Sequence, residues 1–241
     1  MRLLLLAILI LNFGSAHAQS QDPIWENLFD ARSGAGSLDG WLQSGLGSFV
    51  MDTDGSIKSQ GGMGLFYYAE QQYEDFVLEV EWRTSNAQAN SGVFVRFPKA
   101  DSPWDAVDRG YEIQIDDTHT GVHQTGAVYS FAVPSDAPSR PSGEWNTFSI
   151  EVRDQLYKVS VNGVDATEFL GNRATKGFIG LQNHDSDSVI WFRLVRVLPL
   201  EKDSQAKQTA HLQTLAEAFA VNEPQTPIRV LTVTATHGFR H

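Results

Sequence analysis

Hydrophobic and polar residues alternate with a period of two along most of the chain between Trp25 and Leu200, and helical periodicity is nearly absent there. The segment DFVLEVEWRT at 75–84 puts Phe76, Leu78, Val80 and Trp82 on one side and Val77, Glu79, Glu81 and Arg83 on the other. Similar runs at 92–97, 110–116, 145–153, 156–161, 176–183 and 188–198 predict further strands. Asn162-Gly163, between Val161 and Val164, predicts a tight hairpin, because both residues tolerate the positive φ of a two-residue turn. SGAGSLDG at 33–40, QGGMG at 60–64 and VPSDAPSRPSG at 133–143 predict turns. Many short strands without intervening helices imply an all-β sandwich, and the strand count also suits a jelly roll of two curved sheets.

Two regions break this pattern. Residues 1–18 combine Arg2, an apolar run from Leu3 to Leu11 and an A-x-A site at Ala16-His17-Ala18, which predicts a cleaved signal peptide and a secreted or periplasmic bacterial protein. The apolar run is too short for a membrane anchor. After Leu200, residues 201–227 read as a helical linker, with Leu212, Leu215, Ala216 and Phe219 on one helical face. Ile228 to Thr234 (IRVLTVT) then resembles a buried parallel strand, so residues 228–241 are expected to be the start of a second, α/β domain.

The most informative stretch runs from Asn90 to Asp117, where NSGVFVRF is followed by GYEIQIDD. Alternation puts Tyr111, Ile113 and Ile115 on a packing face and Glu112, Gln114 and Asp116 on the opposite face. Arg96, on the neighbouring strand, is expected to pair with these carboxylates. A face of carboxylates and an amide suits a hydroxyl-rich ligand; the same residues also suit a cross-strand salt bridge on a solvated sheet.

Composition narrows the choices. The chain has no cysteine, which excludes disulfides, thiolate metal sites and a cysteine nucleophile. Its net charge of −11 makes nucleic acid an unsuitable partner, since few cations are available to neutralise phosphates. Six Trp and fourteen Phe are ample for a core. Trp145, in GEWN, reads as core, whereas Trp104 and Tyr129 suit either sugar stacking or loop packing. His184, Asp185 and Asp187 suit a divalent metal or a plain turn, and His119 and His123 read as loop residues.

The succession GW at 40–41, YEDFVLEVEWR at 73–83, NSGVFVR at 90–96, GYEIQIDD at 110–117, TGAVY at 125–129, GEWN at 143–146, VNG at 161–163 and IGLQNH with VIWFRLVRV at 179–197 resembles the bacterial DUF1080 family over residues 24–200. That family is described as 3-keto-disaccharide or 3-keto-glucoside hydrolase-like, with a concanavalin A-like jelly-roll fold. IRVLTVTATHGFRH at 228–241 is similar to the opening of ThuA-like, trehalose-utilisation domains, which implies a ThuA-like partner domain.

The resemblance implies a carbohydrate substrate oxidised to a ketone at C3, whose glycosidic bond breaks by elimination or hydrolysis. Glu112 is then the candidate acid or base, Arg96 the group that holds a carboxylate or polarises the ketone, and His184 a proton exchanger or metal ligand. Asn90, Gln114, Asp116, Tyr129 and Gln182 become candidate substrate-binding residues. A divalent metal is a candidate cofactor, with His184, Asp185 and Asp116 as its candidate ligands. Spacing argues against paired-carboxylate hydrolysis: i, i+4 residues of a strand stand about 13 Å apart, whereas glycosidase pairs need ~5 Å or ~6.5–9.5 Å. The strand reads E-x-Q-x-D and so departs from the E-x-D-x-x-E pattern of concanavalin A-like glucanases. A non-catalytic carbohydrate-binding module and a calcium-binding laminin G-like module using Asp116, Asp117 and Asp185 remain alternatives.

Overall fold

A computed structural model of the chain describes residues 24–34 and 36–201. The expected signal peptide at 1–18, the linker beyond residue 201 and the ThuA-like start at 228–241 lie outside the described residues. Thirteen strands occur among the described residues: β1 (Glu26–Asp30), β2 (Trp41–Gly45), β3 (Ser48–Met51), β4 (Ile57–Gln60), β5 (Gly64–Tyr73), β6 (Phe76–Thr84), β7 (Ser91–Phe97), β8 (Tyr111–Ile115), β9 (Asn146–Arg153), β10 (Leu156–Val161), β11 (Val164–Leu170), β12 (Gly177–Asn183) and β13 (Ile190–Pro199). The expected alternation places seven of these within a residue or two, and Asn162 and Gly163 join β10 to β11 with φ of 52° and 83°.

The strands form two antiparallel sheets. The larger runs β11-β10-β9-β6-β13-β4-β3, with β1 paired to β13; the smaller runs β2-β5-β12-β7-β8. Between them lies one apolar core, to which β6 contributes Phe76, Leu78, Val80 and Trp82 and the smaller sheet contributes Trp41, Phe66, Val93, Val95, Tyr111, Ile113, Ile115, Ile179 and Leu181. Burial of these alternating faces is what fixes each strand's register, since a one-residue slip would move the whole apolar set to the wrong side.

The smaller sheet is also covered on its outer face. Leu65, Tyr67, Phe94, Phe97, Ala100 and Ala106 form a second apolar cluster there, beneath the short helix α1 (Pro103–Arg109). This helix departs from the all-strand expectation. Its signal was local: Ser102 caps the first turn, Asp105 reaches back to the Ser102 backbone, and Pro103 occupies a position where no N–H is needed. The free edge of β8 is closed by the following segment, through Gln114 N to Ala127 O at 3.0 Å, Gly126 N to Gln114 O at 2.9 Å and Tyr129 N to Glu112 O at 2.9 Å. Every residue of β8 is therefore buried, on both faces.

Arg96 does not face Glu112. It adopts φ of 55°, in the left-handed region, and the pairing of β7 with β12 slips there, so that Phe97 opposes Phe178 while Val95 opposes Ile179. The extra residue is a β-bulge, which reverses the facing of the chain beyond it. Arg96 turns into the end of the inter-sheet core, and Phe97 joins Phe94 on the outer face. There Arg96 is fully buried, bonds the carbonyls of Glu74 and Asp154, approaches the Tyr157 ring and pairs with Asp75 at 3.0 Å. Trp145 also departs from expectation. It is half-buried on the outer face of the larger sheet beneath Arg83 and Arg193, because GEWN enters β9 with Asn146, not Trp145, pointing inward.

Removing one partner of a fully buried ion pair strands the other charge in a poorly solvating interior. Asp75→Ala is therefore expected to lower stability by about 3 kcal/mol, read as a drop in the chemical-denaturation midpoint; a midpoint within error of wild type would show that the carbonyls alone satisfy Arg96.

Candidate functional site

The outer face of β8, left clear by α1, opens into a cleft of ≈470 Å³. Glu112, Gln114, Gln182, Asn90, Asp116, Tyr129 and His184 all line it, so seven of the residues singled out in the sequence converge. Arg96 and Asp185 do not line it. Met63, Trp104, Val107, His119 and His123 complete the lining. The two histidines were read as plain loop residues, and only the fold of the 117–129 segment over β8 brings them to the site. Met63 and Val107 carried no readable signal, since nothing in their neighbourhoods distinguishes a cleft wall from an ordinary apolar contact.

Glu112 sits on the floor with 5% of its surface exposed, and its Oε1 has no hydrogen-bond partner. Burial pushes its carboxyl from the ordinary 4.5 up to about 8, and the nearby Gln182 side chain opposes this only in part. Gly92, on the adjacent strand β7, leaves room for the Glu112 side chain: a Cβ there would stand 2.6 Å from Glu112 Cγ. Gln114 Oε1 and Gln182 Oε1 are buried and unpartnered as well. The floor thus presents three dehydrated acceptor oxygens together, an arrangement that costs free energy unless a ligand supplies donors.

Along one side of the floor runs a continuous hydrogen-bonded chain. His184 Nδ1 contacts Asp185 Oδ2 at 2.7 Å, Ser188 Oγ donates to the same oxygen at 2.9 Å, and Asn90 N donates to Ser188 Oγ at 2.9 Å. Asn90 Nδ2 then donates to Asp116 Oδ2 at 2.9 Å, which His119 Nδ1 contacts at 2.7 Å, while Gln114 Nε2 donates to Asn90 Oδ1 at 3.3 Å. Each histidine is fixed through Nδ1, which leaves Nε2 as the nitrogen able to exchange a proton with a bound molecule. Burial alone would raise both aspartates, but the hydrogen bonds they accept prevail: those from Thr118 and His119 hold Asp116 below the usual carboxylate range, and those from His184, Asp187 and Ser188 bring Asp185 to about 2. His123 lies against Tyr129, ring centroids 5.0 Å apart, at the far wall.

The metal expectation is not met by this donor set. Among the described residues no group of three or more His, Asp or Glu side chains is arranged to hold a metal ion. Asp185 and Asp116 spend their oxygens on the turn and loop that carry the two histidines.

The comparisons with known proteins agree with this architecture. A family model described as a 3-keto-alpha-glucoside-1,2-lyase-like domain matches residues 24–198. A 3-keto-disaccharide hydrolase from Bacteroides thetaiotaomicron is 24% identical over 204 residues, covering 64% of this chain and 69% of that protein. A candidate glycosyl hydrolase from Parabacteroides distasonis superposes with a TM-score of 0.59 at 25% identity, over 73% of this chain and 100% of that one. A carbohydrate-binding module from Bacillus subtilis, 16% identical, shares the fold at a TM-score of 0.50 over 65% of this chain and 94% of its own. Among the described residues no helix is long and apolar enough to cross a membrane.

Two outcomes test the geometry. Because the folded pKa of Glu112 lies above its unfolded value, folding takes up a proton between about pH 4.5 and 8, and stability falls as pH rises through that window. Glu112→Gln removes this penalty, so the variant should gain on wild type as pH goes from 5 to 9, by on the order of 3 kcal/mol; thermal melts at the two pH values read the difference, and parallel shifts would refute the buried carboxyl. Gly92→Ala should displace Glu112 and cost about 1–3 kcal/mol by overpacking. Carbon-detected titration of the side-chain carboxyl would then find Glu112 ionising closer to 4.5, whereas an unmoved titration would remove Gly92 from this role.

Proposed function

The chain belongs to the 3-keto-alpha-glucoside-1,2-lyase-like domain family, and from that premise we propose that its cleft cleaves 3-keto-glucosides by eliminating the group at C1. The observation that carries the reading is Glu112: a buried carboxyl with a pKa of about 8, set with two further unpartnered acceptors in a cleft that two aspartate-held histidines also line. Simple sugar binding needs acceptors but gains nothing from a carboxyl kept so far from its ordinary range; a base for an acidified C–H bond does.

In this reading the sugar hydroxyls donate to Gln114 Oε1 and Gln182 Oε1. The C3 ketone acidifies the hydrogen on C2. Ionised Glu112 takes that proton, the C–H electron pair becomes the C1=C2 double bond, and the C1–O bond breaks toward the leaving group. His184, oriented through Asp185, is placed to hand a proton at Nε2 to the departing oxygen. Charge that builds on the C3 oxygen calls for a donor that Arg96, buried on the other side of the sheet, does not supply; His119, held by Asp116, takes that part. The products are a 1,2-unsaturated 3-keto sugar and a free alcohol, and addition of water across the double bond completes hydrolysis.

The signal-like sequence at residues 1–18 supports export, where such glycosides would be met outside the cytoplasm. Carbohydrate binding without turnover is the rival, favoured only by the shared fold of the binding module.

A 3-keto-α-glucoside assayed from pH 6 to 9 separates them. Wild type should turn over with kcat/KM rising as pH approaches about 8, where Glu112 ionises, and Glu112→Gln should lose roughly 100-fold or more while still binding. Binding without turnover by wild type would establish the rival, and full activity in Glu112→Gln would remove Glu112 from the chemistry.

A further inference from the structure

Five of the six tryptophans have an aromatic or cationic partner. Trp41 stacks on Phe66, Trp82 tilts against Phe148, Trp25 lies under Arg196, and Trp145 and Trp191 share Arg83. Trp104 has no ring contact among the described residues and is 60% exposed, yet it lines the cleft. Its helix is firmly fastened, with both halves of the Ser102 capping box made and Pro103 and Ala106 buried against the sheet. Trp104 and Val107, three residues apart, therefore stand at the cleft on a rigid support, with Met63 beside them in the lining.

This wall differs in kind from the rest of the cleft. Glu112, Gln114, Asp116 and the two aspartate-held histidines offer polar atoms; Met63, Trp104 and Val107 offer no hydrogen-bonding side chain apart from the indole N–H. An aromatic face left bare at the rim of a polar cleft stabilises nothing in the free protein, and it gains when a flat apolar group covers it. Its position matters too. The buried acceptors on the floor retain the reacting sugar, whereas the exposed rim lies where a departing group passes to solvent.

We propose that Trp104, Met63 and Val107 form a leaving-group subsite that stacks a planar, apolar aglycone, an aryl group being the simplest case. The inference rests on the reading of the Glu112 cleft as a keto-glucoside site and adds to it the class of group released at C1.

The test compares kcat/KM for 4-nitrophenyl and methyl 3-keto-α-glucosides in wild type, Trp104→Ala and Trp104→Phe; the intrinsic reactivity of each leaving group cancels between variants. The aryl-to-methyl ratio should fall at least tenfold in Trp104→Ala and be largely restored in Trp104→Phe. An unchanged ratio overturns the subsite, and so does an equal loss on both substrates, which would place Trp104 against the reacting ring. Calorimetry with unoxidised 4-nitrophenyl and methyl α-glucosides reads the same subsite without turnover. Wild type should bind the aryl glucoside more tightly and Trp104→Ala should lose that preference; equal affinities in wild type overturn the proposal. A preference seen in a protein that cleaves neither keto-glucoside keeps the subsite and overturns the elimination reaction instead.

Discussion

Burial of β8 on both of its faces is the constraint from which the site follows. An edge strand with one wet face would leave Glu112, Gln114 and Asp116 hydrated and chemically ordinary. Here the core takes Tyr111, Ile113 and Ile115, the 125–129 segment closes the edge, and the remaining face forms the floor of a cleft whose surroundings leave Glu112, Gln114 and Asp116 almost no exposed surface. The polar side chains are thereby dehydrated, and dehydration raises the Glu112 carboxyl to about 8. The same burial leaves three acceptor oxygens unpartnered at one spot, so the free protein carries a polarity that a hydroxyl-bearing ligand relieves.

Two neighbouring carboxylates meet a different fate because their surroundings supply donors. Asp116 and Asp185 are each wrapped by backbone N–H and hydroxyl groups from short turns, and both remain acidic. Environment alone separates three carboxyl groups of similar intrinsic acidity into one that keeps its proton to about pH 8 and two acidic anchors for histidine. Asn90 joins the anchors, its backbone bonded toward Asp185 through Ser188 and its side chain to Asp116. A change at Asn90 would thus reach both histidines at once, although it stands on neither of their loops.

The bulge at Arg96 shows how a single inserted residue reassigns chemistry. Strict alternation along NSGVFVRF puts Arg96 beside Glu112. One left-handed residue sends it instead into the interior, where Asp75 and two carbonyls accept its charge, and brings Phe97 to the outer cluster that supports α1. The cleft loses a permanent cation by this exchange. A guanidinium there would favour ionised Glu112 and pull its pKa down, so the displacement of Arg96 is part of what keeps that carboxyl high.

Local pattern determined seven of the thirteen strands, the Asn162-Gly163 turn and the polar face of β8, because these follow from period-two burial and from φ preferences that each segment carries with it. Alternation puts Glu112, Gln114 and Asp116 on one face, whereas Asn90, Gln182 and His184 join them only through the family resemblance. Tertiary structure decided the rest. Which side of the sheet receives Arg96 depends on a pairing slip with β12, and the arrival of His119 and His123 depends on how a loop closes the edge of β8. Whether Trp104 is covered or bare depends on where a seven-residue helix comes to rest. Each of these is a contact between segments distant in the chain, and local pattern carries no record of the partner.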